Sequence, residues 1–164
     1  MTILYISMNG DLVGELVRDS AGKLFFKYDR HWLEQAAARP ISLSMPLTDL
    51  RYHGAVVYNF FDNLLPDNSR IRDRIQAVFR VKTSQPFDLL AAIGKDCVGA
   101  IQLSEEPPSF DKKIEAEYLS DTELADLLRN FKNAPLGMKN NTDDFRISIA
   151  GAQEKSAFLA YLNS

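Results

Sequence analysis

A glycine-centred loop near the end of the sequence carries the residues best suited to chemistry. Gly151 can adopt a positive φ or let a ligand approach the backbone closely. Its small neighbours Ala150 and Ala152 keep that approach open, and Lys155 adds a positive charge. Because backbone N–H groups converge on an anion in such turns, the segment SIAGAQEKS is a candidate phosphate loop.

The spacing of this loop differs from that of the common phosphate-binding motifs. A Walker loop has the pattern G-x-x-x-x-G-K-[ST], whereas Glu154 stands directly before Lys155 here. Ordinary protein kinases use G-x-G-x-x-G, but this segment has a single glycine. A plain β-hairpin joining the strand-like segments FRISIA and KSAFLAYL fits the same spacing, so the residues alone leave both interpretations open.

Histidine and cysteine are too sparse and too scattered to predict a metal site. Cys97 is the single cysteine of the sequence, so neither an internal disulfide nor a cysteine-based zinc site can form. The apolar run around it favours a buried, inert thiol. His31 and His53 lie in unrelated segments, which favours ordinary surface or half-buried side chains over metal ligands.

The segment NFFDNLLPD groups four polar side chains around Pro66: Asn59, Asp62, Asn63 and Asp67. One interpretation is a metal or acid–base site. The other, which we favour, is that Asp62 and Asn63 cap and tether a helix junction at Pro66.

A basic stripe follows, formed by Arg70, Arg72 and Arg74. Such a stripe can contact nucleic acid, but Asp67 and Asp73 partly neutralise it. A solvated, salt-bridged helix face is therefore the simpler prediction.

The composition is that of a globular protein in a reducing compartment. The 164 residues are 46% apolar and 25% charged, which is enough to bury a core. A formal net charge of −3 argues against a broad surface for nucleic acid. There is no apolar run of about 20 residues and no basic, apolar leader, so we predict a cytoplasmic protein without a membrane span.

The first half of the chain predicts strands before helices. ILYISM, LVGELV and LFFKY form a three-stranded meander, with Asn9-Gly10 as a tight hairpin turn. HWLEQAAA is a short helix that Pro40 cannot continue, and the alternating segment ISLSMPL predicts a strand.

A helical block follows, comprising AVVYNFFDNLL, DNSRIRDRIQAVFRV and PFDLLAAIG. Asp67, Asn68 or Ser69 can cap the second helix, and Gly94 is placed as the C′ residue of the third. Helical spacing predicts two buried faces: Val56, Val57, Phe60, Phe61 and Leu64 in the first helix, and Ile71, Ile75, Val78 and Phe79 in the second. CVGAIQL predicts a closing strand.

These segments predict an α+β fold, in which an antiparallel strand meander or barrel packs against helices over residues 1–104. The proline- and charge-rich segment SEEPPSFDKK places a linker at 105–113. Residues 114–164 form a second part, in which Ser120 and Glu123 have the spacing of a capping box.

The chain resembles the HipA family of bacterial toxin kinases. The resemblance is carried by motifs along nearly the whole sequence: MNGDLVGEL, FKYDRHWL, ARPISLSMPL, NFFDNLLPD, RDRI, QPFDLL, IGKDCVGAIQL and DFRISIAGAQEK. Family members are serine/threonine kinases related to eukaryotic protein kinases, and they bind ATP and Mg²⁺. Residues 114–164 would accordingly be the beginning of a kinase N-lobe.

The resemblance also implies particular residues and partners. The loop over the ATP phosphates would consist of Ala150, Gly151, Ala152, Gln153, Glu154 and Lys155, and Ser148 would be the autophosphorylation site. The best-known members phosphorylate glutamyl-tRNA synthetase, which causes growth arrest and persistence. They bind a helix-turn-helix antitoxin, HipB, and through it operator DNA. The arginine stripe could contact that antitoxin.

The family's catalytic and metal-binding carboxylates belong to a C-lobe that has no counterpart in this sequence. We therefore expect no catalytic residue and no metal ligand in the chain, no stable binding of ATP, and no kinase activity without the missing C-lobe. The chain would be the front end of a kinase. The alternative is a free-standing regulatory or antitoxin-like module, related to an accessory subdomain that some systems encode separately.

Overall fold

A five-stranded antiparallel sheet forms the centre of the computed structural model, which describes residues 1–96, 100–109 and 118–130. The strands are β1 (Thr2–Met8), β2 (Asp11–Arg18), β3 (Leu24–Tyr28), β4 (Tyr52–His53) and β5 (Gln102–Ser104). Their order is β4-β3-β2-β1-β5, so β1–β3 form the predicted meander. Because β4 and β5 lie at opposite ends of this order, the described strands form an open sheet and not a barrel.

The β1–β2 hairpin turns at Asn9-Gly10, as the sequence predicts. Both residues have positive φ, 54° and 87°. Positive φ at both central residues is typical of the tight turns whose twist matches that of the flanking strands. The pairing of Met8 with Asp11 closes this turn and sets the start of the β1–β2 register.

Helices flank the sheet and confirm the α+β class. Those in the described residues are α1 (Arg30–Glu34), α2 (Ala55–Asp62), α3 (Ser69–Phe79), α4 (Pro86–Ile93) and α5 (Asp121–Asn130). Asn68 is the N-cap of α3, since its side chain accepts the backbone N–H of Arg70 at 2.9 Å. A 3₁₀ turn, Gly94–Asp96, follows α4.

One apolar core lies between the sheet and the helices. Helix α2 packs on β3, α4 packs on β5 and on both α2 and α3, and α1 packs on β2. The fully buried side chains of this core include Leu4, Ile6, Leu16, Phe26, Tyr28, Met45, Val57, Phe61, Ile75, Leu89, Leu90 and Leu103. Sheet and helices therefore share one interior, as the sequence predicts for residues 1–104.

The strand predicted for ISLSMPL is wrong. The segment folds into a turn closed by a bridge between Ser42 and Met45, and Leu43 is 96% exposed. The buried Tyr28 hydroxyl causes this shape, because it donates to the Met45 carbonyl at 2.5 Å and accepts the Ile41 N–H at 3.0 Å. The alternation of apolar and polar residues does not indicate a strand here, because Leu43 is exposed to solvent whereas Met45 is fully buried in the core.

Two predictions about helices also need correction. The first helix ends at Glu34, well before Pro40, because the chain turns back and the Trp32 indole N–H donates to the Arg39 carbonyl at 3.2 Å. In α3, Val78 is 38% exposed instead of buried. Ile75 is the fully buried residue of that helix, so the buried stripe is narrower than the helical spacing predicts.

Gly94 ends α4, but not through a left-handed C′ conformation. Its φ and ψ are −67° and −14°, which any residue can adopt. Its lack of a side chain serves packing instead, because a Cβ at this position would lie 2.7 Å from the Cβ of Leu103. Glycine thus lets the end of α4 approach β5.

The capping box predicted before α5 is confirmed. The Ser120 N–H donates to the Glu123 carboxylate at 2.8 Å, and the Glu123 N–H donates to the Ser120 hydroxyl at 3.3 Å. This reciprocal pair satisfies two backbone donors at the start of a helix. Among the described elements, α5 makes no extensive contact with the sheet or with α1–α4.

Candidate functional site

The residues predicted to handle phosphate, Ser148 and 150–155, lie outside the described residues, as does Cys97. The structure therefore leaves their geometry untested. The polar and charged clusters that it does define lie on α2 and α3, where the sequence predicts them, and on α4.

Arg72 tethers the junction between α2 and α3. Its Nη1 donates to the Asp62 carboxylate at 2.5 Å, its Nη2 to the Asp62 carbonyl at 3.3 Å, and its Nε to the Pro66 carbonyl at 2.6 Å. The planar guanidinium offers donors in fixed directions, which a lysine does not. The predicted tether at Pro66 is confirmed for Asp62, and its partner is one of the three arginines of the stripe.

The remaining polar side chains of this junction face outward. Asn59, Asn63 and Asp67 are exposed. Asn63 caps α2 through its backbone N–H, which donates to the Asn59 carbonyl at 3.0 Å. Within the described ranges, no three His, Cys, Asp or Glu side chains are grouped so that they could hold a metal ion. The contacts of this junction are those of a structural tether.

The arginine stripe divides into one inward and two outward side chains. Arg72 is 16% exposed in its salt bridge with Asp62. Arg70 and Arg74 are exposed on the other side of α3, and neither forms a salt bridge with Asp67 or Asp73. The prediction of a salt-bridged face is therefore wrong in detail, because the one paired arginine reaches across to α2.

A second ionic cluster fastens α4 to the sheet. Arg18, at the end of β2, donates to Asp88 at 2.6 Å, and its guanidinium carbon lies 4.3 Å from the Phe87 ring centroid. The Thr83 hydroxyl donates to the second carboxylate oxygen of Asp88 at 2.5 Å. The Asp88 side chain is 10% exposed and lies in the first turn of α4, where the helix dipole also favours its charge.

Sequence reasoning missed this cluster. Arg18 and Asp88 are 70 residues apart, and no spacing rule connects such positions. The one local signal was an aspartate in the first turn of a helix that begins with Pro86, and that signal predicts a helix start and not an ion pair.

Both histidines lie at the surface, one of the two positions that the sequence favours for them. His53 is exposed on β4, with its ring centroid 6.3 Å from that of Phe25. His31 is exposed in the short helix α1.

Tyr28 supplies a buried hydroxyl to the loop after α1. Burial raises the pKa of this phenol above its ordinary value. The group therefore stays neutral at physiological pH and keeps its hydrogen bonds to the backbone of Ile41 and Met45. Its role in the fold is to hold that loop against the core.

No helix in the described part of the chain is long and apolar enough to cross a membrane. The charged clusters found there, around Arg72 and around Asp88, are both paired within the fold.

The described residues form an α+β domain, in which helices flank an open antiparallel sheet and ion pairs at Arg72 and Asp88 fix the positions of the helices. Residues 4–104 match the family model of the HipA N-terminal domain, and the chain belongs to the HipA family. The resemblance found in the sequence motifs is confirmed.

Two curated relatives match this chain over very different shares of their own length. "Putative kinase Y4mE" from Sinorhizobium fredii is 30% identical over 161 residues, which cover 93% of this chain and 37% of that protein. An "Uncharacterized protein" from Haemophilus influenzae is 26% identical over 101 residues, which cover 62% of this chain and 90% of that protein. The chain thus spans little more than a third of the first relative, whereas the match takes in nearly all of the second.

Proposed function

We propose that this chain is the N-terminal part of a HipA-like serine/threonine kinase, the toxin of a toxin–antitoxin pair. The observation that carries the proposal is the match to Y4mE, which covers 93% of the chain and so extends well beyond residues 4–104. A protein described as a putative kinase therefore shares with this chain both the HipA domain and much of the sequence that follows it.

In the proposed enzyme the two parts of the chain have different tasks. Residues 1–104 are the accessory domain, 105–113 the linker, and 114–164 the beginning of the kinase N-lobe. The loop at 150–155 covers the ATP phosphates, and Lys155 binds them directly. Mg²⁺ and the general base require carboxylates from a C-lobe, so these 164 residues alone would transfer no phosphate.

Ser148 acts as the regulatory residue in this proposal. A phosphate on Ser148 adds up to about two negative charges and three acceptor oxygens. Ser148 lies three residues before Gly151, so its phosphate would compete for the N–H donors of the loop and repel the phosphates of ATP. Autophosphorylation would thereby switch the kinase off.

The proposed biological role is the one that the resemblance to the family implies. The parent kinase would phosphorylate a component of translation, such as glutamyl-tRNA synthetase, and so arrest growth in the cytoplasm. A HipB-like helix-turn-helix antitoxin would bind it and link it to operator DNA. The net charge of −3 supports contact with DNA through such a partner rather than through the chain itself.

A second candidate function is a free-standing regulatory module that acts on a separate kinase. The match to the Haemophilus influenzae protein favours it, because that protein is little longer than the 101 residues matched. A sequence similar to part of this chain can therefore make up almost the whole of a protein. Against it stands the segment DFRISIAGAQEK, since a regulatory module needs neither a phosphate loop nor an autophosphorylation serine.

Transfer of radiolabelled phosphate from ATP tests the proposal. The reading frame is sequenced downstream of Ser164, and the chain is compared with the polypeptide encoded by any in-frame continuation. We expect the continued protein to label a protein substrate and itself. Lys155→Ala should weaken its ATP binding by roughly 1.5–3 kcal/mol, the contribution of one charge-assisted bond. A stop codon directly after Ser164, with inhibition of a separately encoded kinase, would support the second candidate instead.

A further inference from the structure

The described residues contain nine arginines, and the unpartnered ones share one helix. Six have a partner through an ion pair, a hydrogen bond or a ring: Arg18 with Asp88, Arg30 with Glu34, Arg39 with the Met8 sulfur, Arg51 with Phe25, Arg72 with Asp62, and Arg129 with Asp126. The side chains of Arg70, Arg74 and Arg80 have no such contact within the described ranges, and all three are exposed on α3 or at its C-cap.

This arrangement does not stabilise the fold. Arg70 and Arg74 are four residues apart, a spacing at which like charges on a helix repel. Asp73 is exposed beside them and Asp67 precedes them, yet neither carboxylate forms a salt bridge with either arginine. Within the same helix Arg72 does find a carboxylate, so the outward arginines are not explained by a shortage of acidic residues nearby.

On the side of α3 that carries Arg70 and Arg74, the following helical turn is apolar. Ala77 is exposed, and Val78 is 38% exposed although the helical pattern predicts it to be buried. A small residue and a half-exposed valine beside two free guanidinium groups form a surface with an apolar centre and a charged border. Arginine is enriched in protein interfaces, and such a border is typical of them.

We infer that the outward side of α3, formed by Arg70, Arg74, Ala77 and Val78 with Arg80 at its end, docks an acidic, partly apolar surface of a partner protein. Charge complementarity selects this occupant. The exposed guanidinium groups can pair with carboxylates of a partner, and Val78 offers it an apolar contact.

A protein fits this surface better than nucleic acid does. The exposed carboxylates of Asp67 and Asp73 lie among the arginines, where they would repel a phosphate backbone. A protein surface can place hydrogen-bond donors next to these carboxylates and its own carboxylates next to the arginines, because it carries groups of both kinds. The chain's net charge of −3 also works against attraction of a polyanion. This inference does not depend on whether the parent protein is a kinase.

Binding of a defined acidic peptide tests the inference. The probe is a synthetic amphipathic helix of about 15 residues, roughly four turns, with glutamates at i, i+4 spacing beside leucines. The peptide is titrated into the ¹⁵N-labelled chain. We expect shift changes concentrated between Arg70 and Val78. The charge-reversal variant Arg70→Glu/Arg74→Glu should weaken the Kd about tenfold, because attraction becomes repulsion.

The matched control is Arg30→Glu/Arg129→Glu, which changes the net charge equally at two exposed arginines of other helices. It should leave the Kd within about twofold, since rim charges away from the contact act only through screened long-range fields. Thermal unfolding of each variant verifies that the fold is retained.

Three results would overturn the inference. Equal weakening by both double variants would mean non-specific attraction. Tighter binding of a DNA duplex of about 15 base pairs, again lost with Arg70→Glu/Arg74→Glu, would make the surface a nucleic-acid site. Concentration-dependent dimers that the same variant abolishes would make a second copy of the chain the occupant.

Discussion

The sheet with its helices and helix α5 differ in the contacts that the described residues show for them. The body formed by β1–β5 and α1–α4 joins distant parts of the sequence, through a shared core and through ion pairs such as Arg18–Asp88. For α5 the described contacts include two local ones, the Ser120–Glu123 capping box and the Arg129–Asp126 pair one turn apart. Its Leu128 is 52% exposed. From this difference we predict that the body unfolds as one cooperative unit and that α5 unfolds separately from it.

The largest expected effect comes from the core of the body. Phe61 is fully buried, with its ring centroid 6.1 Å from that of Phe26. Phe61→Ala should lower the free energy of unfolding by about 3–5 kcal/mol through lost burial and a cavity. Urea unfolding followed by fluorescence of the buried Trp32, the chain's one tryptophan, measures this directly.

Leu128→Ala is the matched control in α5. Its side chain is half exposed, so the Trp32 transition should move by less than about 0.5 kcal/mol. A shift comparable to that of Phe61→Ala would mean that α5 shares the core of the body, and the comparison between the two regions would fail.

A smaller effect is expected at the ion pair that binds α4 to β2. Asp88→Ala should destabilise the body by about 2 kcal/mol, because it leaves the partly buried Arg18 and the Thr83 hydroxyl without their acceptor. The double variant Arg18→Met/Asp88→Leu should recover most of the loss. If the single and double variants are equally unstable, the cost lies in packing around α4 and not in the unpaired charge.

The smallest effect concerns the cap of α5. Ser120→Ala removes a side chain that accepts the Glu123 N–H, which should cost the helix about 1 kcal/mol. The loss should appear as faster amide exchange within α5, with no change in the Trp32 transition. A matching drop in the stability of the body would show that the two regions unfold together.

Local chemistry could be predicted from the sequence, whereas contacts between distant residues could not. The tight turn at Asn9-Gly10 and the Ser120–Glu123 box are encoded within a few residues, and the structure confirms both. For the N-cap of α3 the sequence offered Asp67, Asn68 or Ser69, and the structure selects Asn68. The turn at Ser42 was missed because a hydroxyl from Tyr28 imposes it, from an earlier strand.

The candidate sites divide along the same line. Asp62 was correctly assigned to a tether because Pro66 indicates where one helix ends and the next begins. Spacing alone could not show that Arg72, and not Arg70 or Arg74, is the arginine that pairs with Asp62. Residues 150–155 and Ser148 stay predictions based on family resemblance, since they lie outside the described residues.

Hydrogen exchange along the whole chain tests the contrast between the two regions most directly. We predict that the core amides of β1–β3 and α4 exchange only when the whole body unfolds, and that protection falls steeply after residue 104, with α5 exchanging through local opening. The most informative comparison is between the exchange rates of the core amides of β2 and that of the Leu124 amide of α5, because the amides in both regions are hydrogen-bonded. Equal protection at these positions would contradict the account, because it would place α5 in the same cooperative unit as the body.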